Sequence, residues 1–225
     1  MPSEAIRKYF EATENRKIRE DLLFAVENVG EPKVAIDCGC GAGANINYLA
    51  SEGFFVYGFD VEEESISRCK ARFQKNDNVD LSKSSFSAYN FPKASLVVAD
   101  ASLFFCPKPE FSGVWKNIFE CLQPNGIFCG SFLGPEDTMA TPEYSANDFW
   151  PDVAVFEEEE VIKLFANYKI LRFNVYKSSG TTPSGDLHDW HIYSVIAKKP
   201  NNSSKRDAEM AGDIQGDAMN ISVQK

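Results

Sequence analysis

Two acids and three glycines carry the first chemical signal in this chain. The stretch "VAIDCGCGAGANI", Val34 to Ile46, places Gly39, Gly41 and Gly43 at alternate positions just after Asp37. Glycines there let a ligand lie directly against the main chain. Gly39, Gly41 and Ala44 also satisfy the loose dinucleotide fingerprint, which would bring a pyrophosphate to the turn. Asp37 opposes that reading, because a carboxylate two residues before the first glycine repels phosphates and attracts a cation. S-adenosylmethionine offers such a cation, an ammonium and a sulfonium at its methionine end. Asp60 closes the next apolar run, 17 residues beyond Gly43, where a carboxylate can accept both ribose hydroxyls. An NAD-dependent oxidoreductase needs the same ribose contact, so Asp60 marks a nucleoside and Asp37 selects the cationic one. The plain alternative is a glycine turn with a capping acid, and the joint placement of these five residues at strand ends disfavours it.

The segments around these residues alternate in type. Lys33–Asp37 and Phe54–Asp60 read as buried strands, each followed by a helical pattern, Ala44–Glu52 and Glu62–Lys75. Val79–Phe86 is a strand interrupted by serines, Ser95–Phe105 opens with an apolar strand, Phe111–Leu122 is amphipathic, and Gly126–Leu133 is a fifth strand. This order predicts an α/β protein with a mostly parallel sheet and helices on both faces. After a helix over about Glu157–Asn167, Lys169–Tyr176 and His191–Lys199 follow with no helix between them. They read as an antiparallel hairpin joined by the loop "KSSGTTPSGDLHDW". Residues 1–200 form one domain on this reading. Residues 1–30 are a helical cap, 134–156 a lid loop rich in proline, acids and aromatics (Tyr144, Phe149 and Trp150 among them), and 201–225 a disordered tail.

Composition narrows the class of partner. The 225 residues are 44% hydrophobic, enough for a sizeable core, and carry a net charge of −10. Nucleic-acid surfaces need clustered Lys and Arg, whereas the densest charge run here is acidic, Glu157–Glu160. A small-molecule substrate is expected, with no nucleic acid and no membrane, since no apolar run approaches the roughly 18 residues that span a bilayer. The chain start shows no signal-peptide pattern, and reduced cysteines in a cytoplasmic protein are the expected state of all six. Cys38 and Cys40 form C-x-C without a second pair, and only two histidines are present, so no metal site is expected. Nothing in the composition specifies an oligomeric state.

"AIDCGCGAG" resembles motif I of class I S-adenosylmethionine-dependent methyltransferases, and "VYGFDVEEESI" resembles the acidic-loop motif that follows it. The likeness extends to bacterial small methyltransferases of the tellurite-resistance type through "KYFEATENRKIREDLL", "SLFFCPKPEF", "GIFCGSFLGPEDTMAT" and "DWHIYSVIAKK". It covers roughly residues 5–199, with Cys38 where the family has an aliphatic residue and Phe104 where it has proline. The resemblance implies a Rossmann-like, seven-stranded sheet ending in an antiparallel hairpin, and methyl transfer to a small acceptor by in-line displacement. A binding protein that keeps the cofactor site without the chemistry is the rival it leaves open. On the implied fold Val61 packs on the adenine, Ser85 and Phe86 reach its edge, and Ala99 and Asp100 lie beside the reactive methyl. Tyr9 and Arg19 are implied contacts of the cofactor carboxylate, and His191 is implied as an acceptor-site base or orienting group with Asp100 beside the reaction. "FFCPKPEF" lacks the Asn/Asp-Pro-Pro-aromatic motif of nucleic-acid amino-methyltransferases, and Cys106-Pro107 reverses the Pro-Cys order of cytosine enzymes.

Overall fold

The computed structural model describes residues 4–141, 153–182 and 185–201. Seven strands form one sheet in the order β3-β2-β1-β4-β5-β7-β6. They are β1 (Val34–Cys38), β2 (Phe55–Asp60), β3 (Val79–Lys83), β4 (Ala94–Ala99), β5 (Leu122–Leu133), β6 (Lys169–Thr181) and β7 (Leu187–Lys198). All neighbouring pairs are parallel except β5–β7 and β6–β7, so the sheet closes on an antiparallel hairpin. Buried apolar runs such as "ASLVVA" in β4 make these strands, because a parallel sheet covered on both faces has no polar side to alternate with.

Six helices cover the two faces: α1 (Glu4–Thr13), α2 (Glu20–Asn28), α3 (Ala44–Ser51), α4 (Glu63–Phe73), α5 (Lys108–Cys121) and α6 (Glu158–Leu164). Along β1, Ala35 packs with Leu22, Ile46 and Ile66 from α2, α3 and α4, whereas its neighbour Ile36 faces Val114, Ile118 and Phe165 on the other side. That split is the period-2 alternation of a strand. Trp115 binds the second layer together, 5.0 Å from Phe128 and 5.1 Å from Phe165 between ring centroids, with its Nε1 donating to Leu164 O at 3.1 Å. Each large side chain buried this way contributes roughly 1.5–3 kcal/mol. The acidic run at residues 157–160 is a helix start: Glu157 and Glu160 form a reciprocal capping box at α6. Among the described residues no helix is long and apolar enough to cross a membrane.

Several boundaries differ from the sequence expectation, among them the start of β5, at Leu122 rather than Gly126, and the end of α6, at Leu164 rather than Asn167. β3 stops at Lys83, before the serine-rich turn. α5 begins at Lys108 rather than Phe111, because Pro109 lies in its first turn, where a missing N–H costs nothing. The hairpin is longer than its apolar residues suggest, with residues 177–181 pairing with 187–191 inside the expected loop. β6 is largely exposed there, so no hydrophobic alternation betrays the pairing. Residues 142–152 of the expected lid, with Tyr144, Phe149 and Trp150, and the tail beyond residue 201 lie outside the described residues.

Candidate functional site

The strand order reverses between β1 and β4, and in an open α/β sheet the crevice outside the strand ends at that point is where ligands bind. Asp37 lies in β1, Asp60 ends β2, and Asp100 follows β4. The turn after β1 crosses this crevice with Gly39, Gly41 and Gly43 at φ +70°, +52° and +81°. Those left-handed values explain why glycines stand there. A Cβ on Gly39 would lie 2.6 Å from Ser102 Cβ, and one on Gly43 would lie 2.8 Å from Phe73. These two make room for protein neighbours, while a Cβ on Gly41 would meet only Phe10, at 3.8 Å.

A pocket of about 110 Å³ opens beside this turn and is lined by Tyr9, Arg19, Gly39, Gly41 and Asp100 of the expected residues. Thr13, Arg16 and Asn45 also line it and were absent from the sequence reading. The signal for Arg16 was present in "ENRKIRE", the same segment as Arg19. Asn45 was visible only as a polar residue beside the apolar face of α3.

Arg16 Nη2 donates to Asp100 Oδ2 at 2.8 Å and to Asn45 Oδ1 at 3.1 Å. Arg19 Nη1 lies 3.3 Å from Asp100 Oδ1. Asn45 Nδ2 in turn reaches Asp37 Oδ1 at 3.4 Å. Asp37 is 1% exposed and its Oδ2 has no hydrogen-bond partner. Burial pushes its carboxyl up to about 7, against the lowering effect of the Asn45 hydrogen bond and the Arg16 charge. Asp37 is therefore one layer behind the pocket wall, reached through Asn45.

Asp60 accepts from Gly41 N at 2.8 Å and from Glu62 N at 2.9 Å. Burial raises its pKa and these backbone donors oppose the rise. Each oxygen retains a second lone pair, so the carboxylate can still accept hydroxyls. Val61 beside it is 54% exposed, an apolar surface open for a flat ring. Ala99 is buried at the end of β4, and the following Ala101 adopts φ +52°, with its N–H donating to Ser131 Oγ at 2.8 Å.

Eight expected residues do not line this pocket: Asp37, Gly43, Asp60, Val61 and Ala99, placed as described above, and Ser85, Phe86 and His191. Ser85 is exposed and bonds within its own turn to Ala88 N. Phe86 packs edge-on against Phe59, with centroids 5.4 Å apart. His191 is 3% exposed beneath Gly134; its Nδ1 accepts from Glu136 N at 3.2 Å and its own N–H donates to Asp137 Oδ2 at 3.0 Å. His188 Nε2 holds the other oxygen of that buried Asp137 at 2.9 Å. The two histidines thus fasten the loop after β5 to the hairpin. Among the described residues no three His, Cys, Asp or Glu side chains gather as a metal site.

Comparison with known proteins finds a family model that matches part of the chain. Residues 35–126 match the family model described as a methyltransferase domain. Thiocyanate methyltransferase 1 of Arabidopsis thaliana is 25% identical over 124 residues, 53% of this chain and 52% of that one. Sterol 24-C-methyltransferase of Eremothecium gossypii is 30% identical over 99 residues, 42% of this chain and 26% of its own. The chain therefore spans about half or less of these curated relatives. The crystal structure of TehB from Haemophilus influenzae superposes with a TM-score of 0.67 at 19% identity, covering 86% of this chain and 67% of that one, a likeness of fold.

Proposed function

We propose that this chain, which has the class I S-adenosylmethionine-dependent methyltransferase fold and a matching domain, binds S-adenosylmethionine in the crevice beside β1 and transfers its methyl group to a small-molecule acceptor. The observation that carries the cofactor assignment is Asp37. A buried carboxylate oxygen without a donor, behind a glycine turn, favours a ligand with a cationic end and opposes a pyrophosphate. Gly41 supplies the open stretch of main chain beside it, and Asp60 the acceptor for a ribose. S-adenosylmethionine supplies, when bound, a methyl already activated by the sulfonium, so the protein's work is alignment and exclusion of water.

The residues present suit that work. Asp37, through Asn45, favours the ammonium, and the Asp60 carboxylate fixes the ribose with Val61 against the base. Asp100 and Ala101 line the pocket wall on the side of the transferred group, with Ala99 buried behind them. Ala101, Phe104, Phe105, Met139 and Trp190 belong to one apolar cluster around Leu133, the last residue of β5. Such a surface suits a neutral, apolar acceptor and keeps water from the reacting atoms. No general base is required of the protein for an acceptor that is already nucleophilic, which accords with His191 being engaged elsewhere.

Incubation of the purified chain with S-adenosylmethionine and a panel of small thiols, amines and chalcogen oxyanions tests this directly. Release of S-adenosylhomocysteine with at least one neutral acceptor is the expected result. Cofactor binding without turnover of any acceptor would reduce the protein to a binding module.

A further inference from the structure

The pocket carries charges whose pairing is lopsided. Arg16 and Arg19 come from the segment between α1 and α2 and converge on a single carboxylate, Asp100. The Asp100 side chain is 12% exposed, whereas those of Arg16 and Arg19 remain 28% and 48% exposed. Two guanidinium groups on one carboxylate leave an unmatched positive charge and more N–H donors than Asp100 can accept. Through Asn45 the same Arg16 is linked to Asp37, a buried acid whose Oδ2 has no donor. The arginines can still take an anion and Asp37 still needs a cation. An α-amino-acid group carries both, at the separation of one carbon.

We infer that Asp100 stands in for the α-carboxylate of the ligand. When the ligand binds, its carboxylate takes Arg16 from Asp100, and this exchange fastens the N-terminal segment over the site. Arg16 lies three residues beyond the end of α1, and α1 already rests on the glycine turn through Phe10, which is 1% exposed. Arg72 secures the same segment from α4, with Nη1 donating to Glu14 O at 2.8 Å and to Ala42 O at 3.3 Å. A change of partner at Arg16 is therefore passed to α1 over a short, tethered stretch. The inference rests on the cofactor reading above and adds that the amino-acid end, rather than the nucleoside, closes the cap.

Two ligands separate these contributions. S-adenosylhomocysteine has the amino-acid end, and 5′-methylthioadenosine has the same nucleoside and thioether without it. Hydrogen exchange of residues 4–19 is followed by mass spectrometry in the full chain saturated with each, with affinities from calorimetry. S-adenosylhomocysteine should slow exchange in that segment several-fold more than 5′-methylthioadenosine does. Arg16→Gln should remove the difference and lower the affinity ratio between the two ligands about tenfold, the scale of one charged hydrogen bond, while 5′-methylthioadenosine binds as before and reports an intact fold. Asp100→Asn should keep or raise that ratio, because the internal competitor is gone. Equal protection by both ligands, an equal loss of both in Arg16→Gln, or a fall in the ratio for Asp100→Asn would each overturn the exchange. Failure of the wild-type chain to bind either ligand would instead overturn the cofactor reading beneath it.

Discussion

The three glycines after β1 share a backbone conformation yet differ in what surrounds them. Gly39 and Gly43 are packed against Ser102 and Phe73, whereas a Cβ on Gly41 would make only an ordinary contact with Phe10. An alanine at Gly39 would carry the left-handed cost of about 1–2 kcal/mol and an overpacking cost of roughly 1–3 kcal/mol. At Gly41 only the first of these applies. Gly39→Ala should accordingly melt well below wild type, while Gly41→Ala melts only slightly lower but loses affinity for S-adenosylhomocysteine. Thermal melts beside calorimetric titrations of the two variants would show this, and the reverse ranking would mean the turn is not a ligand cradle. The spacing of these glycines and of Asp37 and Asp60 was legible in the sequence, because strand ends bring them together by local geometry alone. Their separate jobs were not, since Ser102 and Phe73 arrive from distant segments. Arg16 and Asn45 escaped for the same reason: only the folded cap sets them against Asp100.

Elements were legible wherever an apolar run or a helical period reported burial, which covers β1, β2, β4, α3 and α4. The outer half of the β6–β7 hairpin was not, because β6 is largely exposed there and shows no apolar alternation. The docking of α2 was equally hidden. It depends on Asp21, 8% exposed, which accepts from Ser194 Oγ at 2.6 Å and from Arg172 Nη1 at 3.2 Å, residues more than 150 positions away. Arg172 also stacks over Phe24 of α2, 4.1 Å from the ring centroid. Asp21→Ala removes a partly buried charged contact of Arg172 and a hydroxyl partner, at a cost of roughly 1–3 kcal/mol. Urea denaturation should show that loss as a lower midpoint at unchanged slope. An unchanged midpoint would mean that α2 is held by its other contacts, Leu22 and Ala25 in the core and Phe24 under Arg172.

The whole molecule concentrates opposite charge at the candidate site. A chain of net charge −10 gathers Arg16 and Arg19 at one pocket and sets two buried acids, Asp37 and Asp60, at the ends of adjacent strands. The sheet order that produces this arrangement also hosts dinucleotide enzymes, so the fold alone does not choose the cofactor. On the proposed reading, Asp37 makes the choice on electrostatic grounds and Asp60 anchors the nucleoside. Calorimetric titration of the full chain with S-adenosylhomocysteine and with NAD, in wild type and in Asp60→Ala, tests both parts at once. S-adenosylhomocysteine should bind the more tightly of the two, and Asp60→Ala should weaken it by roughly 1.5–3 kcal/mol, the scale of hydrogen bonds to a charged group. Tighter binding of NAD, or S-adenosylhomocysteine binding unaltered in a folded Asp60→Ala variant, would contradict the account.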